Sequence, residues 1–246
     1  MIEREFSVGS PSLVKVAISS GRVAVEAGEP GLVRVSVDTR DPTFDVRQRG
    51  DAIVAGGERG RRAFVTVQVP QSTDVEVSTA SGDVNIVAPV ARLEVASASG
   101  DVSFTTAIRL QVKTASGSIN GNRVEGEARC ITASGDIRIS QILERGDLST
   151  ASGNITIDQS VGIIACATLS GDIRVSELTG PSLNVKSMSG SVRIGIPTRT
   201  RLDLDANTFS GRVRLPTPSA SAEPPEREIT AKIRLVSGDI RIDRLG

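Results

Sequence analysis

Apolar and polar residues alternate along this chain in short bursts, and the bursts recur. Runs such as Asp136-Ile137-Arg138-Ile139, Asp172-Ile173-Arg174-Val175 and Asp239-Ile240-Arg241-Ile242 place β-branched residues at every second position, the pattern of a half-buried strand. Each run follows a Ser-Gly pair, whose serines are Ser81, Ser99, Ser116, Ser134, Ser152, Ser170, Ser189, Ser210 and Ser237. Successive spacings of 18, 17, 18, 18, 18, 19, 21 and 27 residues give nine copies with one dominant period of about 18. Six and four residues before the serine lies a second apolar pair, as in Leu93 and Val95, Leu110 and Val112, or Leu183 and Val185. That pair predicts a second strand in each repeat.

Two short strands cannot bury an apolar face alone, but stacking equivalent coils at roughly 4.8 Å pairs each strand with its counterparts above and below. The predicted fold is all-β: a single-stranded parallel β-helix, or β-solenoid, with about 18-residue coils. A β-roll of antiparallel hairpins turned at Ser-Gly-Asp is the rival. Near-identity of residues within each column favours in-register stacking, and the crossover rule favours a right-handed coil. The residue before each serine is apolar in every copy: Ala80, Ala98, Ala115, Ala133, Ala151, Leu169, Met188, Phe209 and Val236. It is expected to point inward after a bend near the preceding Thr or Ser, and its growth in size predicts a cross-section that widens toward the C-terminus. The Thr and Ser column one step earlier, Thr79 to Thr208, is expected to form an inward hydroxyl ladder. A recurring Gly fits a backbone that takes positive φ or passes close to its neighbour, and the adjacent Ser and Asp can bond turn amides.

Residues 1–74 lack the beat, although Ser20-Gly21-Arg22-Val23 echoes it once. Alternating runs such as Val33-Arg34-Val35-Ser36-Val37 read as an irregular β-cap, as an open terminal coil requires, with Pro70 at the junction. Residues 75–246 form the predicted solenoid region, continuous with the cap and interrupted by a Pro-rich loop over 216–228 that is expected to be mobile. Cys130 and Cys166 occupy the same column with Leu148 in the coil between them. A separation of two coils, roughly 9 to 10 Å, exceeds the roughly 7 Å limit for a disulfide, so two free core thiols are predicted.

Composition narrows the chemistry. Of 246 residues, none is His, Trp or Tyr, and 29 basic residues balance 29 acidic ones. Without His, Ser-His-Asp or Cys-His catalysis and His-containing metal sites are excluded. Zero net charge gives no global field for nucleic acid, and no apolar run approaches a spanning helix. With no signal pattern at the start, the expected location is cytoplasmic. No cofactor, metal or catalytic residue is predicted, and the chain is read as not an enzyme.

One charged column stands out. The position two residues beyond Asp in the strand reads Asn85, Ser103, Asn120, Arg138, Thr156, Arg174, Arg193, Arg214 and Arg241. Arg138, Arg174, Arg193, Arg214 and Arg241 form a candidate binding stripe for a protein or an anionic envelope component. The bland alternative is a solvated face paired with neighbouring Asp. The Asp column itself, Asp83 and Asp101 to Asp239, could be read as a cation ladder, or as turn residues diluted by Ser and Asn to limit repulsion.

The repeated Ser-Gly-Asp-[Ile/Val]-x-[Ile/Val], preceded by the region ending in Val67-Gln68-Val69-Pro70, resembles the bacterial β-strand-repeat family of unknown function named "putative adhesin". The resemblance runs from about residue 10 to 246. It implies a β-solenoid module, in some members linked to envelope stress, and no catalytic residues. A non-catalytic binding or scaffold module is therefore the leading expectation. A self-assembling scaffold similar to bactofilins is the first alternative, and a carbohydrate-active β-helix enzyme the second.

Overall fold

The structure, a computed structural model, describes residues 1–9, 12–57, 61–216 and 224–245. Residues 217–223 of the Pro-rich segment lie outside the described residues, so the loop expectation there has no structural counterpart. Strands follow one another with no helix among the described residues. They are β1 (Ile2–Ser7), β2 (Leu13–Ile18), β3 (Ser20–Ala27), β4 (Leu32–Thr39), β5 (Asp45–Arg49), β6 (Ala52–Gly56), β7 (Arg62–Val69), β8 (Asp74–Thr79), β9 (Asp83–Ile86), β10 (Val90–Ser97), β11 (Val102–Thr114) and β12 (Ile119–Val124). The second half contains β13 (Glu127–Thr132), β14 (Ile137–Ile142), β15 (Arg145–Ser152), β16 (Ile155–Ser160), β17 (Ile163–Ser170), β18 (Ile173–Leu178), β19 (Ser182–Ser189), β20 (Val192–Pro197), β21 (Thr200–Ser210), β22 (Val213–Arg214), β23 (Arg227–Ser237) and β24 (Ile240–Leu245). The chain divides into two compact units, Met1–Asn122 and Arg123–Gly246.

In the first unit, parallel ladders join β6, β2, β8, β10 and β11 along one side and β7, β3, β9 and the start of β11 along another. The echo at Ser20-Gly21 is a full coil: Arg22 lies opposite Asp83, which aligns Gly21 with Gly82. This coil is inserted between the β6–β7 coil, later in sequence, and the β8–β9 coil. Antiparallel strands finish the unit, β1 on β4, β4 on β7 and β5 on β6, covering ladder edges that would otherwise be open.

In the second unit, one parallel ladder runs β13, β15, β17, β19, β23, β21 and the other β14, β16, β18, β20, β24, β22. Stacking therefore departs from chain order at the end. The last coil, β23–β24, lies between β19–β20 and β21–β22. Parallel in-register coils replace the rival β-roll, and the fold is a β-solenoid as the repeat requires.

The apolar column before the serine does not point inward as expected. Alternation continues unbroken to the serine, as in β17, where Ile164, Cys166 and Thr168 are buried and Leu169 is exposed. The Thr column is thus the last inward position, and the apolar residue after it faces outward. Leu169, Met188, Phe209 and Val236 are 54%, 56%, 91% and 52% exposed, so they cannot widen the core. The bend falls at Ser-Gly itself.

The buried hydroxyls explain that bend. Thr79, Thr114 and Thr132 each accept from the backbone amide of the glycine three residues on, at 2.8, 3.0 and 3.1 Å, and Thr150 donates to the Gly135 carbonyl at 3.0 Å. Each of these hydroxyls ties its own turn or that of an adjacent coil, so these buried polar groups are satisfied. Cys130 and Cys166 are free and buried with Leu148 between them. Burial, helped by Asp147, raises both thiol pKa values, that of Cys166 to about 12; such thiols are inert rather than nucleophilic.

Candidate functional site

The Ser-Gly corner carries three neighbouring columns in the second unit, and each has a physical role that register makes visible. Asp follows Gly first. Asp136 Oδ1 accepts from the Asn154 amide at 2.8 Å, Asn154 Oδ1 from the Asp172 amide at 2.9 Å, Asp172 Oδ1 from the Ser191 amide at 2.8 Å and Asp239 Oδ1 from the Arg212 amide at 2.9 Å. These side chains cap amides of the adjacent coil, and Asn serves the same end, which accounts for its place in the column. Their Oδ1 atoms face backbone donors. Among the described residues no group of three or more His, Cys, Asp or Glu is placed to hold a metal ion.

Two residues further along the same face lies the arginine column. Register places Arg138 beside Thr156, Thr156 beside Arg174, Arg174 beside Arg193, Arg193 beside Arg241 and Arg241 beside Arg214. All five candidate arginines share this column and all are exposed. Arg214, penultimate in sequence, is outermost in space because the last coil is intercalated. Arg174, Arg193, Arg241 and Arg214 thus occupy four consecutive coils, at a rise of about 4.8 Å each.

Like charges stacked in adjacent strands oppose one another unless they find partners. Arg138 pairs with Asp136 at 3.1 Å and Arg241 with Asp243 at 2.7 Å. Arg174 Nε donates to Ser176 Oγ at 3.3 Å. Arg193 and Arg214 form no ion pair among the described residues, because Ser191 and Gly195 flank the first and Arg212 precedes the second. Four planar guanidinium groups with spare donors in a row suit phosphate or carboxylate groups repeated along a ligand.

Across the corner stands the apolar column that the sequence reading placed in the core: Leu169, Met188, Val236 and Phe209 in spatial order. Continuing the period-2 alternation past the inward Thr would have turned it outward. Other surfaces are less organised. The first unit has a groove of about 870 Å³ lined by small residues including Ala17, Ser78, Ala80, Ser81 and Ala96, with no charged side chain among the described residues of its lining. A second cleft there, about 490 Å³, gathers Arg40, Arg61 and Arg62 beside Asp38 and the half-exposed Phe64. No helix of the described residues is long and apolar enough to cross a membrane.

These features match a known fold. The chain is similar to a structure described as a "putative lipid binding protein" from Parabacteroides distasonis, at 15% identity and TM-score 0.52, over 100% of this chain and 96% of that one. It is also similar to structures described as "putative adhesin" from Parabacteroides merdae, at 12% identity and TM-score 0.42 over 100% and 96% of the two chains, and from Bacteroides fragilis, at 14% identity and TM-score 0.41 over 99% and 96%. No curated protein matches the chain. The sequence model of one family spans residues 29–245, covering cap and repeats together, and the chain accordingly belongs to the Toastrack DUF4097 family.

Proposed function

We propose that this protein is a non-catalytic β-solenoid binding module whose C-terminal unit engages an anionic component of the bacterial envelope through Arg174, Arg193, Arg241 and Arg214. The observation that carries this reading is the register: four arginines in consecutive coils, three of them, Arg174, Arg193 and Arg214, without an acidic partner among the described residues. Without a ligand such a column repels itself; with a phosphate or carboxylate array it becomes a row of charge-assisted hydrogen bonds. The names of the fold relatives describe binding rather than catalysis, in keeping with this reading.

The test is titration of inorganic polyphosphate into the wild type and into a double charge reversal, Arg174→Glu with Arg193→Glu. Hydrogen bonds to charged groups contribute roughly 1.5–3 kcal/mol each, so the reversal should weaken binding at least about tenfold. Equal affinity of the two proteins would remove the column from the account.

Self-assembly through an end coil has one observation in its favour: β21 pairs with β23 on one side and with no strand on the other among the described residues. Its outward Arg201, Asp203 and Asp205 are charges of the kind that blunt an edge. Sedimentation at several concentrations separates the readings, and the binding-module reading expects no concentration dependence.

A further inference from the structure

Apolar side chains of the outward column grow only where the arginine column is dense. The coils carrying Leu169, Met188, Val236 and Phe209 are the ones carrying Arg174, Arg193, Arg241 and Arg214. The other coils have Ala at the apolar position, with Asn85, Ser103, Asn120, Arg138 and Thr156 across the corner. Core packing does not explain the match, because all four large residues are at least half exposed, Phe209 at 91%. Lys186 and Arg234, two residues before Met188 and Val236 on the same strands, add exposed basic side chains to the far side of the column, Arg234 already paired with Asp205. An apolar ridge about four coils long is therefore flanked by basic side chains on both faces of the corner.

We propose that this ridge docks the protein on an anionic phospholipid bilayer, with Leu169, Met188, Val236 and Phe209 entering the boundary between headgroups and acyl chains while the flanking arginines bind lipid phosphates. The inference rests on the proposed role of the arginine column and adds the nature of the partner. Charge complementarity selects an anionic surface, since each basic residue near one contributes to attraction. The apolar column selects a bilayer over a soluble polyanion, which offers Phe209 and Met188 nothing to bury against. Long basic side chains over an apolar ridge form the arrangement that lies in a membrane interface rather than across it.

The chain contains no Trp, so Phe209→Trp provides a single fluorophore at the most exposed ridge position. With vesicles of phosphatidylglycerol and phosphatidylcholine its emission should shift to the blue and be quenched by brominated acyl chains; with phosphatidylcholine alone it should not. The double variant Met188→Ser with Phe209→Ser should lower partition onto the anionic vesicles at least about tenfold and leave polyphosphate affinity at the wild-type value. Unshifted emission together with wild-type partition of the serine variant overturns the bilayer proposal. In that case polyphosphate binding that still depends on Arg174 and Arg193 leaves the arginine reading standing, whereas its absence removes both. A blue shift that grows with protein concentration without vesicles would show a second copy covering the ridge, and would also overturn the proposal.

Discussion

Gly190→Ala should destabilise the protein by about 3–5 kcal/mol, from overpacking and backbone strain together. The added Cβ would lie 2.1 Å from the Gly171 carbonyl oxygen of the adjacent coil, and the backbone there has φ +132. Neither neighbour can yield cheaply. Gly190 donates its amide to the Ser237 carbonyl at 3.1 Å, and a Cβ on Gly238 would in turn meet the Gly190 oxygen at 2.0 Å. Moving one coil therefore disturbs the next. With domains stable by only about 5–15 kcal/mol, the variant should unfold at markedly lower denaturant concentration. Gly50→Ala is the control, since Gly50 has φ +58 and open space around its would-be Cβ; strain alone should cost about 1–2 kcal/mol. Equal losses at the two positions would show that turn conformation, not close stacking, sets the glycine column.

Deleting residues 227–246 should undo the end of the second unit rather than trim it. The deleted coil sits between β19–β20 and β21–β22, so β21 and β22 lose the ladders that the described residues give them. Ile229, Ile233, Leu235, Ile240 and Ile242 are all buried, and at about 1.5–3 kcal/mol each their loss is on the order of 10 kcal/mol. Arg234 also clamps Asp205 of β21 at 2.5 Å, a hydrogen bond that holds the Asp205 pKa below its ordinary value. Trypsin should then cut at Arg201, Arg212 and Arg214 in the truncated protein and not in the full chain. Protection of those sites after truncation would mean that β21–β22 packs directly on β19–β20, and that the intercalated order is wrong.

Much of this architecture was legible because a solenoid writes its contacts into columns. The inward positions six and four residues before Ser and three and five after it, the free Cys130 and Cys166, the Thr ladder and the shared arginine column all follow from one period. Two features escaped it. Coil order at the ends is set by which ladder closes the stack, and a coil such as Ser20–Ala27 carries the repeat without recording its spatial neighbours. The outward turn of Leu169, Met188, Phe209 and Val236 is hidden in the sequence because hydrophobicity alone suggests burial. Strand alternation was the stronger signal, since backbone geometry fixes which face a side chain takes, whereas an apolar residue can be exposed when a partner covers it. Intercalation likewise changes the order of the arginine row, placing Arg241 between Arg193 and Arg214, although the row is already continuous in the sequence.

The central claim, that the arginine column of the C-terminal unit is the binding surface, is tested most directly by mapping arginine reactivity. Phenylglyoxal modification of the full chain, read by peptide mass spectrometry with and without polyphosphate, reports each guanidinium separately. Arg174, Arg193, Arg241 and Arg214 are expected to become protected together while Arg40, Arg61 and Arg62 of the N-terminal unit react as before. Undiminished reactivity along the column, or protection confined to Arg40, Arg61 and Arg62, would contradict the claim.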